Sequence, residues 1–505
     1  MKVLSYSDYP KEPVILENLT ISFMRQSRFI PLALDNSTLT IAMADPEDYS
    51  TVEALELAYH ATVKALRGRE EDILDTIDRL YGSGTQSIET IIEEAGKNVD
   101  EITADIETDE AHLKDLASEA PIIRLVNRLI INAVESRASD IHFEPFEKEF
   151  KVRYRIDGVL HDVESPPKRL QAAIISRVKI MARLDIAERR LPQDGRIKLK
   201  VGDKEIDFRV STIPTIYGES VVMRILDRGN LILSLDKIGF PDDLLESYKE
   251  LISQPYGMVL VTGPTGSGKT STLYTTLAKI NSSENKIITL EDPVEYQLNG
   301  INQIHVNPKI GLTFANGLRS IVRQDPDIIL VGEIRDRETA EIAIQSALTG
   351  HLLFSTLHTN DAAGAITRLL DMDVENFLLS STLLGALAQR LVRVICPHCK
   401  REVIPDPKML GFMKIDDDEK DRTLFYEGAG CEECRYTGFQ GRTAIFEYLP
   451  VDDDIRREIM AGSSTDKIKK VAIEKGMRSL RRDGWLKVRD GITTVSEVLR
   501  VTLEM

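Results

Sequence analysis

The feature that most constrains this chain is Gly263-Pro264-Thr265-Gly266-Ser267-Gly268-Lys269-Thr270, a full match to GxxxxGK[ST]. It follows Gly257-Met258-Val259-Leu260-Val261, a run apolar on both faces as a central parallel strand is. A helix is predicted to begin near Ser271. Glycines in such a loop let backbone N–H groups close around phosphate oxygens, and the helix N-terminus adds partial positive charge. Residues 263–271 are therefore read as the binding loop for a nucleoside triphosphate. Lys269 reaches the β- and γ-phosphates and Thr270 holds Mg²⁺.

The flanking sequence repeats a strand–helix pattern, the signature of a parallel sheet covered by helices. Lys286–Leu290, Asp327–Val331 and Leu352–Leu357 read as further buried strands. Between the last two, Asp336 is predicted to cap a helix whose apolar face is Ala340, Ala343, Ile344, Ala347 and Leu348, ended by Gly350.

Hydrolysis needs an acid near the metal and the attacking water. Gly332 stands after Ile328-Ile329-Leu330-Val331, where an aspartate would usually ligate Mg²⁺, and Glu333 comes next. Glu333 is read as orienting or deprotonating water. Glu291 and Asp292, at the tip of the preceding strand, form a second acidic pair, with helix capping before Pro293 as the alternative. His358, at the C-terminal end of its strand, lies on the ligand-binding edge of such a sheet and is read as a γ-phosphate sensor. His351, at the other end, is read as structural.

The rest of the chain divides by composition. At roughly 150 residues per domain, 505 residues suggest about three domains. Residues 1–85 read as a small α/β unit. Pro31–Leu34 and Thr38–Met43 form a hairpin, a helix starts after Pro46, and another runs from Glu70 or Glu71 to Leu80 through Ile73 and Ile77. Residues 86–119 read as an acidic linker, with eleven acids against two lysines over 89–119. Residues 120–228 read as an α+β domain: Ile122, Leu125, Val126, Leu129, Ile130 and Ala133 follow helical spacing, and hairpins turn at Asp157-Gly158 and Gly202-Asp203. Residues 229–505 hold the phosphate loop. The tail Thr494–Glu497 reads as a capping box opening a last helix.

Only four cysteines occur, as Cys396-Pro397-His398-Cys399 and Cys431-Glu432-Glu433-Cys434. Two CxxC knuckles make a closed Cys₄ set for structural Zn²⁺ within a module at 392–445, with His398 as a bystander and the residues between the knuckles as a polar insertion. Docking of a partner is the role favoured for this module. The acid excess, 81 against 64 basic residues, argues against a bulk nucleic-acid binder. The N-terminus has no apolar core segment and no run approaches about 18 apolar residues, so a cytoplasmic protein is expected.

These motifs together resemble the type II secretion system ATPases, within the wider family of secretion and type IV pilus assembly motor ATPases. The resemblance rests on the phosphate loop, Ala138–Pro145, Arg189–Ile197, Thr289–Glu295 (the aspartate box), Arg323–Asp336 and Gly350–Asp361 (the histidine box). It covers about residues 120–445 and includes the glycine at 332. It implies an α/β, RecA-like P-loop ATPase domain working as a homo-hexamer on ATP, Mg²⁺ and Zn²⁺. In such motors ATP hydrolysis powers pseudopilus assembly and protein export. The N-terminal domain docks on a bitopic inner-membrane partner, beside a polytopic inner-membrane platform protein. The resemblance also carries Arg209 and Arg224, on strands of the 120–228 domain, to the phosphates. Arg319 and Arg323, four apart, are a second candidate set. A pilus-extension motor, a nucleic-acid translocase and a non-hydrolysing nucleotide sensor are the alternatives.

Overall fold

The computed structural model describes residues 21–35, 38–59, 61–80, 116–117, 120–163, 165–201, 204–227 and 234–503, with Leu4, Tyr9, Pro10, Val14, Leu16 and Leu19 ahead of them. The chain forms two compact units, Met1–Leu226 and Asp227–Met505.

The first unit opens with α1 (Ile21–Gln26), β1 (Phe29–Asp35) and β2 (Thr38–Met43). The two strands form the expected hairpin, Asp35 opposite Thr38. After α2 (Tyr49–Tyr59), β3 (Thr62–Arg67) joins β2 in parallel. Leu39 and Ile41 point into a core that Ile73 and Ile77 of α3 (Glu70–Leu80) complete. The acidic stretch read as a linker lies outside the described residues, apart from Leu116 and Ala117. These two are already helical and buried.

In α4 (Ala120–Glu135) all six residues expected on one face are buried. A six-stranded sheet follows, built from β4 (Ala138–Pro145), β5 (Phe150–Ile156), β6 (Val159–Asp162), β7 (Gln193–Val201), β8 (Lys204–Thr215) and β9 (Gly218–Asp227), in the order β6-β5-β4-β9-β8-β7. Helix α5 (Gln171–Ala182) lies between β6 and β7 in sequence. Asp157 and Gly158 take φ of 49° and 85°, the left-handed pair that a tight two-residue hairpin turn requires. Gly202 and Asp203 lie outside the described residues, but Val201 sits opposite Lys204. Alternation sends Val152, Tyr154, Phe208, Val210, Val221 and Met223 into one core with α4 and α5.

The second unit is built on β10 (Gly257–Thr262), β11 (Ile287–Glu291), β12 (Asn302–His305), β13 (Ile328–Val331), β14 (Leu352–Leu357), β15 (Leu383–Ile395) and β18 (Phe439–Pro450), ordered β12-β11-β13-β14-β10-β15-β18. Among the described pairings of this sheet only β15–β18 is antiparallel. Every residue of β10 is buried. Met258 and Leu260 enter one core while Val259 and Val261 enter the other, so both faces are covered. The helices, in chain order, are α6 (Asp242–Ile252), α7 (Lys269–Ile280), α8 (Phe314–Ile321), α9 (Arg337–Leu348), α10 (Ala362–Asp371) and α11 (Asn376–Thr382). Asp336 caps α9 by accepting from the Thr339 N–H at 2.8 Å. Leu348 departs from the expected apolar face and is 43% exposed. It sits on the last turn, where Gly350 (φ 104°) leads the chain into β14.

The segment between β15 and β18 carries β16 (Lys400–Val403) and β17 (Phe425–Gly428), a two-stranded antiparallel ribbon. The residues expected to be a polar loop instead form α12 (Pro407–Met413) and α13 (Asp417–Asp421). They are anchored because Met413 is buried, and because Phe425 packs its ring 6.0 Å from that of Trp485. The chain ends in α14 (Asp453–Met460), α15 (Thr465–Glu474), α16 (Leu480–Arg489) and α17 (Val495–Thr502). Thr494 caps α17, but the box is only half formed. Glu497 gives its N–H to Thr494 Oγ1 at 3.2 Å, while its carboxylate bonds Arg393 and Arg500.

Candidate active site and metal centre

The phosphate loop runs from the end of β10 into α7, which begins at Lys269, two residues earlier than expected. Pro264, Thr265 and Gly266 are exposed at its crest, and so are Thr270 and Ser271 on the first turn of the helix. Two of its glycines answer to close packing against β15. A Cβ on Gly263 (φ 147°) would stand 2.5 Å from the Gln389 carbonyl oxygen, and one on Gly268 (φ 88°) 2.7 Å from Gln389 Nε2. Ser267 is buried, and its Oγ has no partner among the described atoms. Lys269 folds back into the loop, donating from Nζ to the carbonyls of Gly263 (2.6 Å) and Pro264 (3.0 Å). Burial lowers its pKa to about 8, the Glu333 carboxylate opposes that shift, and the Arg390 guanidinium adds to it. A desolvated cation of this kind gains from an incoming phosphate.

Glu333 stands just past β13. His358 Nε2 lies 3.0 Å from its Oε2, and Arg335 donates to its Oε1. Burial pushes the Glu333 carboxyl up, but the bonds and charges of Arg335 and His358 outweigh it and hold the group below the usual carboxylate range. The glycine at 332 has a packing reason. Its N–H bonds the Leu290 carbonyl at 2.8 Å, and a Cβ there would stand 3.3 Å from that same oxygen. An aspartate at 332 would press on β11.

Lys269, Glu333 and His358 therefore share one site. The other candidates are placed differently. Glu291 is buried with its carboxylate engaged by Thr289 Oγ1 (2.6 Å), Gln303 Nε2 (3.2 Å) and the Tyr274 hydroxyl. It ties β11 to α7, and a catalytic role would require those bonds to open. Asp292 is exposed and acts electrostatically on Arg335. No helix opens at Pro293, so the capping alternative for this pair fails. His351 Nδ1 lies 2.8 Å from the Ser346 carbonyl and closes the end of α9. Arg319 bonds Glu338 Oε1 at 2.6 Å, and Arg323, two residues beyond α8, donates to the Arg319 carbonyl at 2.6 Å. The first bond joins α8 to α9, the second closes the end of α8, and neither involves the phosphate loop. In the first unit, Arg209 and Arg224 sit on the sheet face opposite the core, Arg224 Nε 3.1 Å from Asp140 Oδ1.

Two residues at the loop were missed by sequence reasoning. Gln389 and Arg390 are buried on β15, Gln389 accepting from Thr272 Oγ1 at 2.7 Å. The available signal was a polar pair inside the apolar run Leu383–Ile395.

The four cysteines converge, all four sulfurs lying within 4.8 Å of one another. Cys396–Cys431, Cys399–Cys434 and Cys431–Cys434 are 3.8, 3.7 and 3.7 Å apart. A tetrahedron with Zn–S of about 2.3 Å has edges of about 3.8 Å, so the set fits zinc. Backbone N–H groups of Gly430, Cys431 and Gly438 approach the sulfurs at 3.2–3.3 Å and would stabilise thiolates. His398 lies outside the cluster.

The fold and this site define a P-loop ATPase. Residues 115–500 match the model of the type II/IV secretion system protein family, and residues 1–87 match that of the MshEN domain. The chain belongs to the type II/IV secretion system protein family, and it is an ATP-hydrolysing enzyme. It is 52% identical to type II secretion system protein E of Xanthomonas campestris over 96% of this chain and 85% of the relative. It is 46% identical to the type IV pilus assembly ATPase PilB of Myxococcus xanthus over 98% of this chain and 88% of that one. Among solved structures, the pilus retraction motor PilT with bound ADP aligns with a TM-score of 0.50 at 27% identity, covering 75% of this chain and 97% of PilT. The Legionella pneumophila ATPase DotB aligns with a TM-score of 0.56 at 20% identity, over 75% and 95% of the two chains.

Proposed function

We propose that this chain is the motor ATPase of a type II secretion system, hydrolysing ATP to drive pseudopilus assembly and protein export across the outer membrane. The observation that carries this reading is the 52% identity to a type II secretion system protein E along 96% of the chain, N-terminal domain included. At the site, Lys269 turns from the loop carbonyls to the β- and γ-phosphates, where its charge offsets theirs. Backbone N–H groups of residues 263–268 and the start of α7 hold the phosphate oxygens. Thr270, exposed at the first turn of α7, would hold Mg²⁺, which supplies charge neutralisation for the phosphates. Glu333 orients and deprotonates the water, and His358, already bonded to it, reports the γ-phosphate. Glu291, Arg209, Arg224, Arg319 and Arg323 complete the proposed set, the arginines acting as phosphate partners when the site closes.

The same reading makes the protein a homo-hexamer. Residues 1–85 serve as the docking domain for a bitopic inner-membrane secretion protein, 86–119 as a tether, 120–228 as the arginine-bearing domain and 229–505 as the ATPase domain. A polytopic platform protein is the second membrane partner, and nucleic acid is not a partner. No helix among the described residues is long and apolar enough to cross a membrane. Four thiolates, Cys396, Cys399, Cys431 and Cys434, would hold Zn²⁺ structurally. The 46% identity to PilB of Myxococcus xanthus favours a second reading, a pilus-extension motor. Deleting the gene in its host decides: lost release of exoproteins with pili intact supports the first, and lost pili with normal secretion supports the second.

A further inference from the structure

Arg390 lies in β15 with 7% of its surface exposed, beside the buried Gln389 in a mostly apolar strand. Burying a guanidinium is costly unless specific partners repay the lost hydration. Its Nη2 donates to the Asn360 side-chain oxygen at 3.1 Å and to the Asn360 carbonyl at 3.3 Å. Its Nη1 packs on the first loop glycine, for a Cβ on Gly263 would stand 3.2 Å from it. Asn360 is two residues past His358, in the turn leaving β14. That turn is held on its other side by Thr262, whose Oγ1 accepts from the Thr359 N–H at 2.9 Å.

We propose that Arg390 is a positioning residue for ATP hydrolysis, clamping the start of the phosphate loop to the turn that carries His358. The proposal rests on hydrolysis at the Lys269–Glu333–His358 site. Through Asn360 the guanidinium fixes where β14 releases His358, and through His358 it fixes the Glu333 carboxylate. The same group acts on Lys269 as a like charge, which the Glu333 carboxylate opposes. That arrangement is relieved by an anion at the loop. A bland space-filling arginine would support the fold without separating nucleotide affinity from turnover.

The test uses the full chain with Mg²⁺, a fluorescent ATP analogue for affinity and phosphate release for turnover. Arg390→Gln should cut kcat about 10²-fold, the cost of a small misplacement of reacting groups, while Kd changes less than about threefold. Arg390→Lys, which keeps the charge but not the fork, should recover only part of the turnover. Asn360→Ala removes the side-chain oxygen but keeps the carbonyl that Arg390 also bonds, so it should reproduce part of the loss, and the double variant should be no worse than Arg390→Gln alone, because both act on one contact. The split between kcat and Kd is the readout that a merely structural role would not give. Wild-type kcat in Arg390→Gln, or a loss of affinity matching the loss of kcat, overturns the proposal. Should Arg390→Gln fail to fold, Asn360→Ala carries the kcat-against-Kd test alone, and wild-type turnover there overturns it. A wild-type protein without ATPase activity would instead sink the underlying reading.

Discussion

His358 Nε2 and Glu333 Oε2 stand 3.0 Å apart, so one hydrogen bond joins the ends of two neighbouring strands, β13 and β14, at the phosphate loop. Glu333 stays ionised at neutral pH and accepts from both His358 and Arg335. The carboxylate expected to orient water is thus held from two sides before any nucleotide arrives.

Glu333→Gln keeps the size of the side chain but removes the base and leaves one oxygen to accept where the carboxylate has two, one facing Arg335 and one facing His358. Turnover should fall about 10²–10⁴-fold with nucleotide affinity retained. Lys269→Ala should lose affinity and turnover together, because its charge neutralises the phosphates themselves. Phosphate release beside equilibrium nucleotide binding separates the two, and wild-type turnover by Glu333→Gln would rule out the water-orienting role.

Glu497 links the last helix to the sheet. Burial alone would raise its pKa, yet the Arg393 and Arg500 guanidiniums hold it down to about 2, against 4.5 for an ordinary glutamate. The folded value lies below the unfolded one, so this stabilisation is complete above about pH 4.5 and is lost as the pH falls toward 2. Glu497→Gln should cost on the order of 2–3 kcal/mol at pH 7 and much less near pH 3, read by denaturant unfolding at both pH values. An equal cost at the two pH values would contradict the ion-pair account.

The sheet and the phosphate loop were legible because their signals are local. Runs such as Gly257–Val261 and Ile328–Val331 are apolar on both faces, and a glycine-rich loop before a helix has few other readings. Arg390 was not legible as a site residue. Its role depends on β15 lying beside β10, two strands separated by more than a hundred residues. Glu291 failed for a related reason: its partners Tyr274 and Gln303 come from different elements, so a sequence scan registers an acid at a strand tip and not a saturated one. Glu497 matched a capping pattern at i+3, but Arg393, brought close by the sheet, is a stronger partner for a buried carboxylate than a backbone N–H. Helix α13 was hidden because it is a run of charges, Asp417–Asp421, and α12 because it is short and interrupted by Gly411.

The Cys₄ set predicts that purified protein carries one zinc per chain. Structural zinc is worth about 10–16 kcal/mol in small finger peptides, so Cys431→Ser should release the metal and loosen the β16–β17 ribbon and α12. The seven-stranded sheet has its own cores on both faces and should persist. Metal analysis and hydrogen exchange by segment check this. Zinc-free wild-type protein, or a sheet that melts together with the ribbon, would count against a self-contained structural site.

Arg224 pairs with Asp140 on the polar face of the six-stranded sheet, with its side chain 55% exposed. A half-exposed pair of this kind is worth little in stability, about 0–1 kcal/mol, so breaking it to meet a phosphate is inexpensive. If Arg209 and Arg224 serve the phosphates of a closed site, their loss should cut kcat about 10³-fold or more while ATP still binds. Turnover of the wild type should then climb more steeply than protein concentration, because closure depends on assembly. Mixing Lys269→Ala with Arg224→Ala subunits distinguishes two arrangements. Recovered activity means that an arginine from one subunit completes the loop of another, and no recovery means that both act within one chain. Full activity of the Arg209→Ala/Arg224→Ala double variant would remove both arginines from the reaction and leave Arg224 as a surface partner of Asp140.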